Sequence, residues 1–215
     1  MAQNKFHHES IYRGADYLEK LKKYKLTICG AGAIGSNLAD NLVRCGVSNI
    51  KVIDFDRIEN HNIGSQIYGD MDVGALKVDA LKNKIFRHVG AEIEAVNKKL
   101  TADNAKILLK GVDLVIDAFD NSASRQLIQD EVRLRKLNCL HCGVSDSYGE
   151  VVWDGAYKVP KDVEGDVCDY PLARNIVGLV VTIASEEILD FCLAKKPRLS
   201  SWSVTLKDFA IRTYK

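Results

Sequence analysis

No long apolar run interrupts the 215 residues. The longest, Ile176 to Ala184, is too short to span a bilayer, which takes about 20 residues, and it closes at Glu186 and Glu187. A buried helix is expected there, and no membrane partner. Neither sign of charge is in excess: 30 Lys and Arg stand against 29 Asp and Glu, for a net charge of +1. No global field therefore draws the chain to nucleic acid or to an acidic membrane. The basic Lys20–Lys25 stretch reads as a solvated helix end, and His7 and His8 as surface residues. The opening MAQNKFHHES lacks the apolar core of a secretory signal. Six cysteines are present, without the spacing of a small disulfide framework, so reduced thiols and a cytoplasmic setting are expected. Internal repeats and a second compositional block are also missing. With 47% apolar and 27% charged residues the chain reads as one globular domain over 1–215. A helical lead-in over 1–24 and an irregular crossing segment over 154–171 are expected within it.

What is present is concentrated in residues 26 to 56, LTICGAGAIGSNLADNLVRCGVSNIKVIDFD. An apolar strand, Leu26 to Cys29, runs into Gly30-Ala-Gly32-Ala33-Ile34-Gly35. A helical pattern follows, with Ala33, Ile34, Leu38, Ala39, Leu42 and Val43 on one side, and a second strand, Ile50 to Ile53, ends at Asp54. Gly30 allows a sharp turn, Gly32 lets backbone approach a phosphate, and Gly35 lets helix pack close to strand. The helix N-terminus offers free N–H groups and a positive dipole end to an anion. Asp54 stands about 20 residues past the last glycine, the spacing of a carboxylate that holds a ribose hydroxyl. The arrangement predicts nucleotide binding and leaves NAD, FAD and ATP open.

Further along, the polar stretch Arg57 to Asp72 directly follows the ribose position, and irregular segments of that length are usually functional. Helices are expected over 74–89, with Leu76, Ala80 and Val89 buried, over 103–110 with a cap near Thr101, and over 122–136. Strands are expected over 92–97, 112–119, 137–144 and 149–153. Alternation of this kind predicts an α/β fold, a Rossmann-like and mostly parallel sheet with helices on both faces. Residues 172–194 read as an apolar helix. The tail SWSVTLKDFAIRTY reads as an antiparallel hairpin, with Trp202, Val204 and Leu206 on one arm and Phe209 and Ile211 on the other.

A dehydrogenase needs a proton donor near its nicotinamide, and neither a Tyr-x-x-x-Lys pair nor a convincing His–Asp pair follows the strands. The chain offers Asn62 and Gln66, then Lys77, then Asp117-Ala-Phe-Asp120-Asn121. Ligands of open parallel sheets lie beyond the carboxyl ends of the strands, where the 112–119 strand delivers Asp120. A carboxylate beside phosphates is a natural Mg²⁺ ligand, and Lys77 can meet a phosphate as a point charge. Such a set serves attack on a phosphate rather than hydride transfer.

The pieces ICGAGAIGSNLADNLVRCGV, VIDFDRIENHN, GALKV, DAFDN and CDYPLARNIVGLVVTIASEEIL together resemble the ubiquitin-activating-enzyme-like superfamily of ThiF and MoeB, over roughly residues 8–193. The resemblance implies adenylation, with ATP and Mg²⁺, of the C-terminal glycine carboxylate of a ubiquitin-like or sulfur-carrier protein, by a homodimer. It implies that Gly30, Gly32, Ala33, Ile34, Gly35, Asp54, Asp56, Gln66 and Lys77 contact the nucleotide. Asp54 holds the ribose, Asn62 and Lys77 meet phosphates, and Asp120 binds Mg²⁺; the catalytic set is Lys77, Asp120 and Asn62. The resemblance also implies a nucleophilic cysteine in the acidic crossing segment, where Cys168 stands; Asp162, Glu164, Asp166 and Asp169 oppose a thiolate there, and a plain loop cysteine is the alternative reading.

The chain departs from the resemblance in two places. The family pattern Asn-x-x-Arg-Gln reads Asn62-Ile-Gly-Ser65-Gln66, and an N-terminal arginine is replaced at His8. Losing one such arginine costs about 10³-fold in phosphoryl transfer; Arg13, Arg57 and a protonated His8 are the substitutes at hand. Two alternatives to carrier adenylation therefore stand: a non-catalytic nucleotide- or carrier-binding scaffold, and adenylation of a small molecule or tRNA base. Structural zinc is not expected, because Cys139 and Cys142 fall on opposite faces of one strand and no second Cys-x-x-Cys pair follows.

Overall fold

The computed structural model describes residues 4–161, 171–194 and 199–214. The lead-in forms two short helices, α1 (His7–Arg13) and α2 (Tyr17–Leu21). The glycine-rich unit then runs β1 (Leu26–Cys29), α3 (Ala33–Arg44), β2 (Ile50–Asp54). Next come α4 (Lys77–Val89), β3 (Glu94–Asn97), α5 (Ala102–Leu108), β4 (Leu114–Asp117) and α6 (Ser122–Arg135). The chain closes with β5 (Asn138–Ser145), β6 (Tyr148–Trp153), α7 (Arg174–Leu193), β7 (Ser201–Thr205) and β8 (Ala210–Tyr214).

One eight-stranded sheet has the order β3-β2-β1-β4-β5-β6-β7-β8. From β3 to β5 every pairing is parallel; from β5 to β8 every pairing is antiparallel. The reversal thus begins before the expected terminal hairpin, at the two-residue turn Asp146-Ser147, where Asp146 takes φ +53. Strands β1 and β4 are buried at every residue and are apolar apart from Thr27 and Asp117, as suits strands covered on both sides.

Local signals set the helix ends. α4 stops at Gly90, which adopts a left-handed φ of +63. Thr101 and Asn104 exchange a capping box at α5, and the Asn121 side chain accepts the Ser124 N–H at 2.9 Å at the start of α6. Of the positions expected to be buried in α4, Ala80 is buried, while Leu76 and Val89 are half-buried. Phe209, expected on the second hairpin arm, sits in the turn at φ +51 and is 84% exposed; its place is set by the tight Lys207–Phe209 reversal.

Two hydrophobic layers cover the sheet. The larger collects α2 to α4 and α7 over one face; the smaller collects α5 and α6 over the other. Helix α7 lies on β5, β6, β7 and α3 and leaves an exposed stripe at Arg174, Asn175, Gly178, Thr182 and Glu186. Its Glu187 is buried, and both tryptophans close on it: Trp153 and Trp202 donate their indole N–H to its two oxygens at 3.0 and 2.8 Å. Among the described residues no helix is long and apolar enough to cross a membrane.

Candidate functional site

Strand order reverses direction between β1 and β4: β1 leads outward to β2 and β3, while β4 returns to its other side. A crevice at the carboxyl ends of such strands is where open α/β sheets hold ligands. Gly30 leaves β1 at φ +102, with its N–H on the Ile53 carbonyl at 2.9 Å. A Cβ there would lie 2.8 Å from the Ala118 carbonyl oxygen, so the turn is pressed against the end of β4. A Cβ on Gly35 would sit 1.9 Å from the Gly30 oxygen, while one on Gly32 meets nothing within 4 Å. Gly30 and Gly35 are therefore demanded by the fold, and Gly32 keeps space open beside the first N–H groups of α3.

The two acids of Asp54-Phe-Asp56 have separate positions. Asp54 is 7% exposed. One of its oxygens accepts the Ala31 N–H at 2.6 Å, and the other accepts the Asp56 N–H at 2.8 Å. Burial raises its carboxyl above the usual range, opposed by Lys77 and by those two N–H groups. Asp54 thus holds the glycine turn from below. Asp56 stands at the mouth with about half its side chain in solvent, 2.9 Å from the Lys77 ammonium.

Lys77 opens α4 and is 8% exposed. Its N–H bonds the Asp56 carbonyl at 2.9 Å, and the Arg57–Leu76 bridge with the Ile58–Ala75 bond zips the two segments together. The polar stretch between them is thereby a closed loop rather than a loose one. It carries short 3-10 turns at Asn60–Asn62 and Asp70–Asp72. Within it the Tyr68 hydroxyl, buried, lies 2.9 Å from the Ala31 carbonyl and 3.1 Å from that of Lys77, tying the glycine turn to α4. Nothing in the local sequence pointed to Tyr68. Asn62 is buried, and its side-chain oxygen accepts the Glu59 N–H at 2.9 Å, which leaves its NH₂ for another partner. The Gln66 side-chain oxygen is buried without a hydrogen bond among the described residues, an acceptor open to a ligand hydroxyl or amine.

Asp120 is exposed at the far wall, beside the N-cap Asn121. The turn that presents it is fixed by Asp117, which accepts the Phe119 N–H at 3.1 Å. Below lies a sealed polar network. Asp117 meets His141 Nδ1 at 2.8 Å, His141 Nε2 meets Asp154 at 3.3 Å, and the imidazole stacks on Tyr157 at 3.8 Å. Arg125 adds a guanidinium 3.7 Å from Asp117 and 3.0 Å from the Tyr157 hydroxyl. Burial raises the Tyr157 phenol to about 12, so it stays protonated at neutral pH.

Of the expected site residues, Gly30, Gly32, Ala33, Asp56, Asn62, Gln66, Lys77 and Asp120 stand at or beside the carboxyl ends of β1, β2 and β4, while Ile34, Gly35 and Asp54 are buried behind the glycine turn. Cys168 lies outside the described residues. Cys139 and Cys142 are buried in opposite layers of the core, as the alternation required. Of the substitute cations, Arg13 is tied to Glu9 and Glu186, each at 2.6 Å, and Arg57 donates to the Gly74 carbonyl at 2.7 Å.

Comparison with known proteins bears on the family and the fold. An adenylyltransferase and sulfurtransferase MOCS3 of Anopheles gambiae is 38% identical over 120 residues, covering 54% of this chain and 27% of that protein. A sulfur carrier protein adenylyltransferase of Thermus thermophilus is 32% identical over 131 residues, covering 59% of this chain and 48% of that one. The chain thus spans less than half the length of these curated relatives. Among solved structures, E. coli MccB superposes with a TM-score of 0.85 at 15% identity, over 100% of this chain and 70% of that one. PaaA gives 0.76 at 20%, over 98% and 71%. These two show a common fold. The family match runs over residues 7–199, which include β1 to β6 and leave out β7 and β8, and the chain belongs to the ThiF family.

Proposed function

We propose that the chain uses MgATP to adenylate the C-terminal carboxylate of a small ubiquitin-like or sulfur-carrier protein. The observation that carries this is the open cradle at Gly32, faced by the Asp56–Lys77 pair and by Asp120 from the opposite wall. The crevice fits the nucleotide: space for phosphate at Gly32, donors at the head of α3, and an unbonded buried acceptor at Gln66. In this reading Asp56, at the mouth, takes the ribose hydroxyls, and Asp54 holds the turn. Asn62 offers its NH₂ to phosphate. The names of the curated relatives support a carrier protein as substrate. A homodimer and a cytoplasmic setting belong to the same proposal.

A C-terminal carboxylate is ionised at neutral pH, with a reference pKa of about 3.3–3.7, so the attack needs no general base. Its oxygen bonds to the α-phosphorus, the bond to the bridging oxygen breaks, and pyrophosphate departs with the electron pair, leaving an acyl-adenylate. The chain's part is to align the two anions and offset their repulsion. Lys77 and the N–H groups at Gly32 and Ala33 do this on one side. Mg²⁺ held by Asp120 would supply charge neutralisation on the other.

The test is ATP–pyrophosphate exchange with and without a carrier ending in Gly-Gly. Exchange that requires the carrier is expected. ATP binding without exchange, across carriers, favours the scaffold reading, to which the serine at position 65 lends support. Preference for NAD over ATP overturns both.

A further inference from the structure

One arginine has a placement that its own surroundings do not account for. Arg174 is the first residue of α7, a 20-residue helix whose N-cap, Ala173, gives no side-chain cap and whose first turn has no acid. A cation at the positive end of a helix dipole is unfavourable. Among the described residues Arg174 has no carboxylate partner. It donates one hydrogen bond, at 3.2 Å, to the neutral side-chain oxygen of Asn37. The Asn37 NH₂ group in turn donates to the carbonyls of Ala33, at 2.7 Å, and of Ser65, at 3.0 Å. Ala33 is the residue directly after Gly32. The exposed guanidinium is thus docked, through one amide, against the first turn of α3 and against the loop that carries Asn62 and Gln66.

The backbone holds it there. Asp146 donates its N–H to the Pro171 carbonyl at 2.7 Å and accepts the Ala173 N–H at 2.9 Å, fixing the start of α7 on the β5–β6 turn at the crevice end of the sheet. Arg13, by contrast, is engaged at Glu186, about 18 Å further down α7 at about 1.5 Å per residue.

We propose that Arg174 contacts the β- and γ-phosphates of the bound nucleotide, exchanging the Asn37 oxygen for phosphate oxygens and placing a guanidinium on the flank where Ser65 provides none. This rests on the nucleotide reading of the crevice, though not on the carrier. A triphosphate gains charge-assisted hydrogen bonds that a monophosphate does not reach.

Equilibrium binding of ATP and of AMP to the full chain tests it. Arg174→Gln is expected to weaken ATP by about 10-fold or more, as for loss of a hydrogen bond to a charged group, and to leave AMP within about twofold by the same reasoning. Ser65→Arg in the Arg174→Gln background restores ATP affinity. The melting temperature stays level or rises, since a cation has left a helix N-terminus. Equal losses for ATP and AMP, no loss, or a marked fall in melting temperature overturn the proposal. Wild-type chain that binds ATP yet never exchanges pyrophosphate sinks carrier adenylation and leaves Arg174 standing. Unchanged ATP affinity in Arg174→Gln with exchange intact does the reverse. Failure of the wild type to bind ATP overturns both.

Discussion

The Lys77 ammonium lies 2.9 Å from the Asp56 carboxylate, with the lysine almost sealed and the acid half in solvent. The pair is therefore unequal. Removing Lys77 leaves Asp56 as an acid that water can solvate; removing Asp56 leaves a nearly buried ammonium without its hydrogen-bonded partner and with only the buried Asp54 carboxyl acting on it.

That asymmetry separates two variants. Lys77→Met lowers pyrophosphate exchange by about 10²-fold or more, the loss of a positioned charge on phosphate, at a stability cost of about 1 kcal/mol or less. Asp56→Ala costs stability by about 1–3 kcal/mol. Denaturant unfolding of the two variants, beside exchange assays, checks both; the reverse order of stabilities contradicts the geometry.

Glycines 32 and 35 divide between binding and folding. A methyl on Gly35 meets the Gly30 oxygen at 1.9 Å, so Gly35→Ala destabilises by about 2–4 kcal/mol or fails to fold. Gly32→Ala has open space and keeps wild-type stability, yet fills the cradle, so ATP affinity falls. Calorimetric melting and nucleotide titration on each variant distinguish them. A stable Gly35→Ala chain rules out the close turn described here.

Thiol accessibility follows from burial. Burial raises Cys29, Cys139 and Cys142 far above the ordinary thiol range, and lifts Cys45 to about 11 and Cys192 to about 12. At pH 8 these five are thiols, not thiolates. Labelling of the native chain with iodoacetamide is then expected to reach at most Cys168, and Cys168→Ser to label nowhere. Rapid modification of any of the five counts against the packing.

Both tryptophans of the chain end on Glu187. In Glu187→Gln only one carboxamide oxygen remains for two indole donors, and the NH₂ group opposes the other. A loss of about 1–3 kcal/mol is expected for the stranded donor, or roughly 2–4 °C of melting temperature per kcal/mol at this chain length. Intrinsic fluorescence shifts with it, because no tryptophan lies elsewhere. An unaltered spectrum and melting point exclude the double bond to Glu187.

Much of the crevice was legible because its signals are local. Gly30 to Gly35, the apolar β1 and β2, and the acid beyond them lie within a few turns of each other in the chain, and each has a backbone reason. What sequence could not tell was direction. Asp54 and Asp56 are two residues apart and both acidic, and only the fold shows that one faces the turn and the other the mouth. The reversal at β6 has no local mark, because Asp146-Ser147 lacks the glycine that usually signals a two-residue hairpin. Tyr68 sits in a polar stretch without periodicity. Arg174 and Asn37 are 137 residues apart, and no local pattern links residues that only the docking of α7 on α3 brings together.

The two layers of the sheet are unequal, and so are the walls of the crevice. The glycine turn, Lys77 and Arg174 stand on the thick layer, backed by α3, α4 and α7. Asp120 stands just before α6, on the thin layer, where a smaller hydrocarbon cluster is joined by a polar network of Asp117, His141, Arg125 and Tyr157. Sub-global opening begins where the fewest apolar contacts must part. Amide protons of α6 therefore exchange before those of α3, and the first partly opened form of the chain keeps its phosphate cradle while losing its candidate metal ligand.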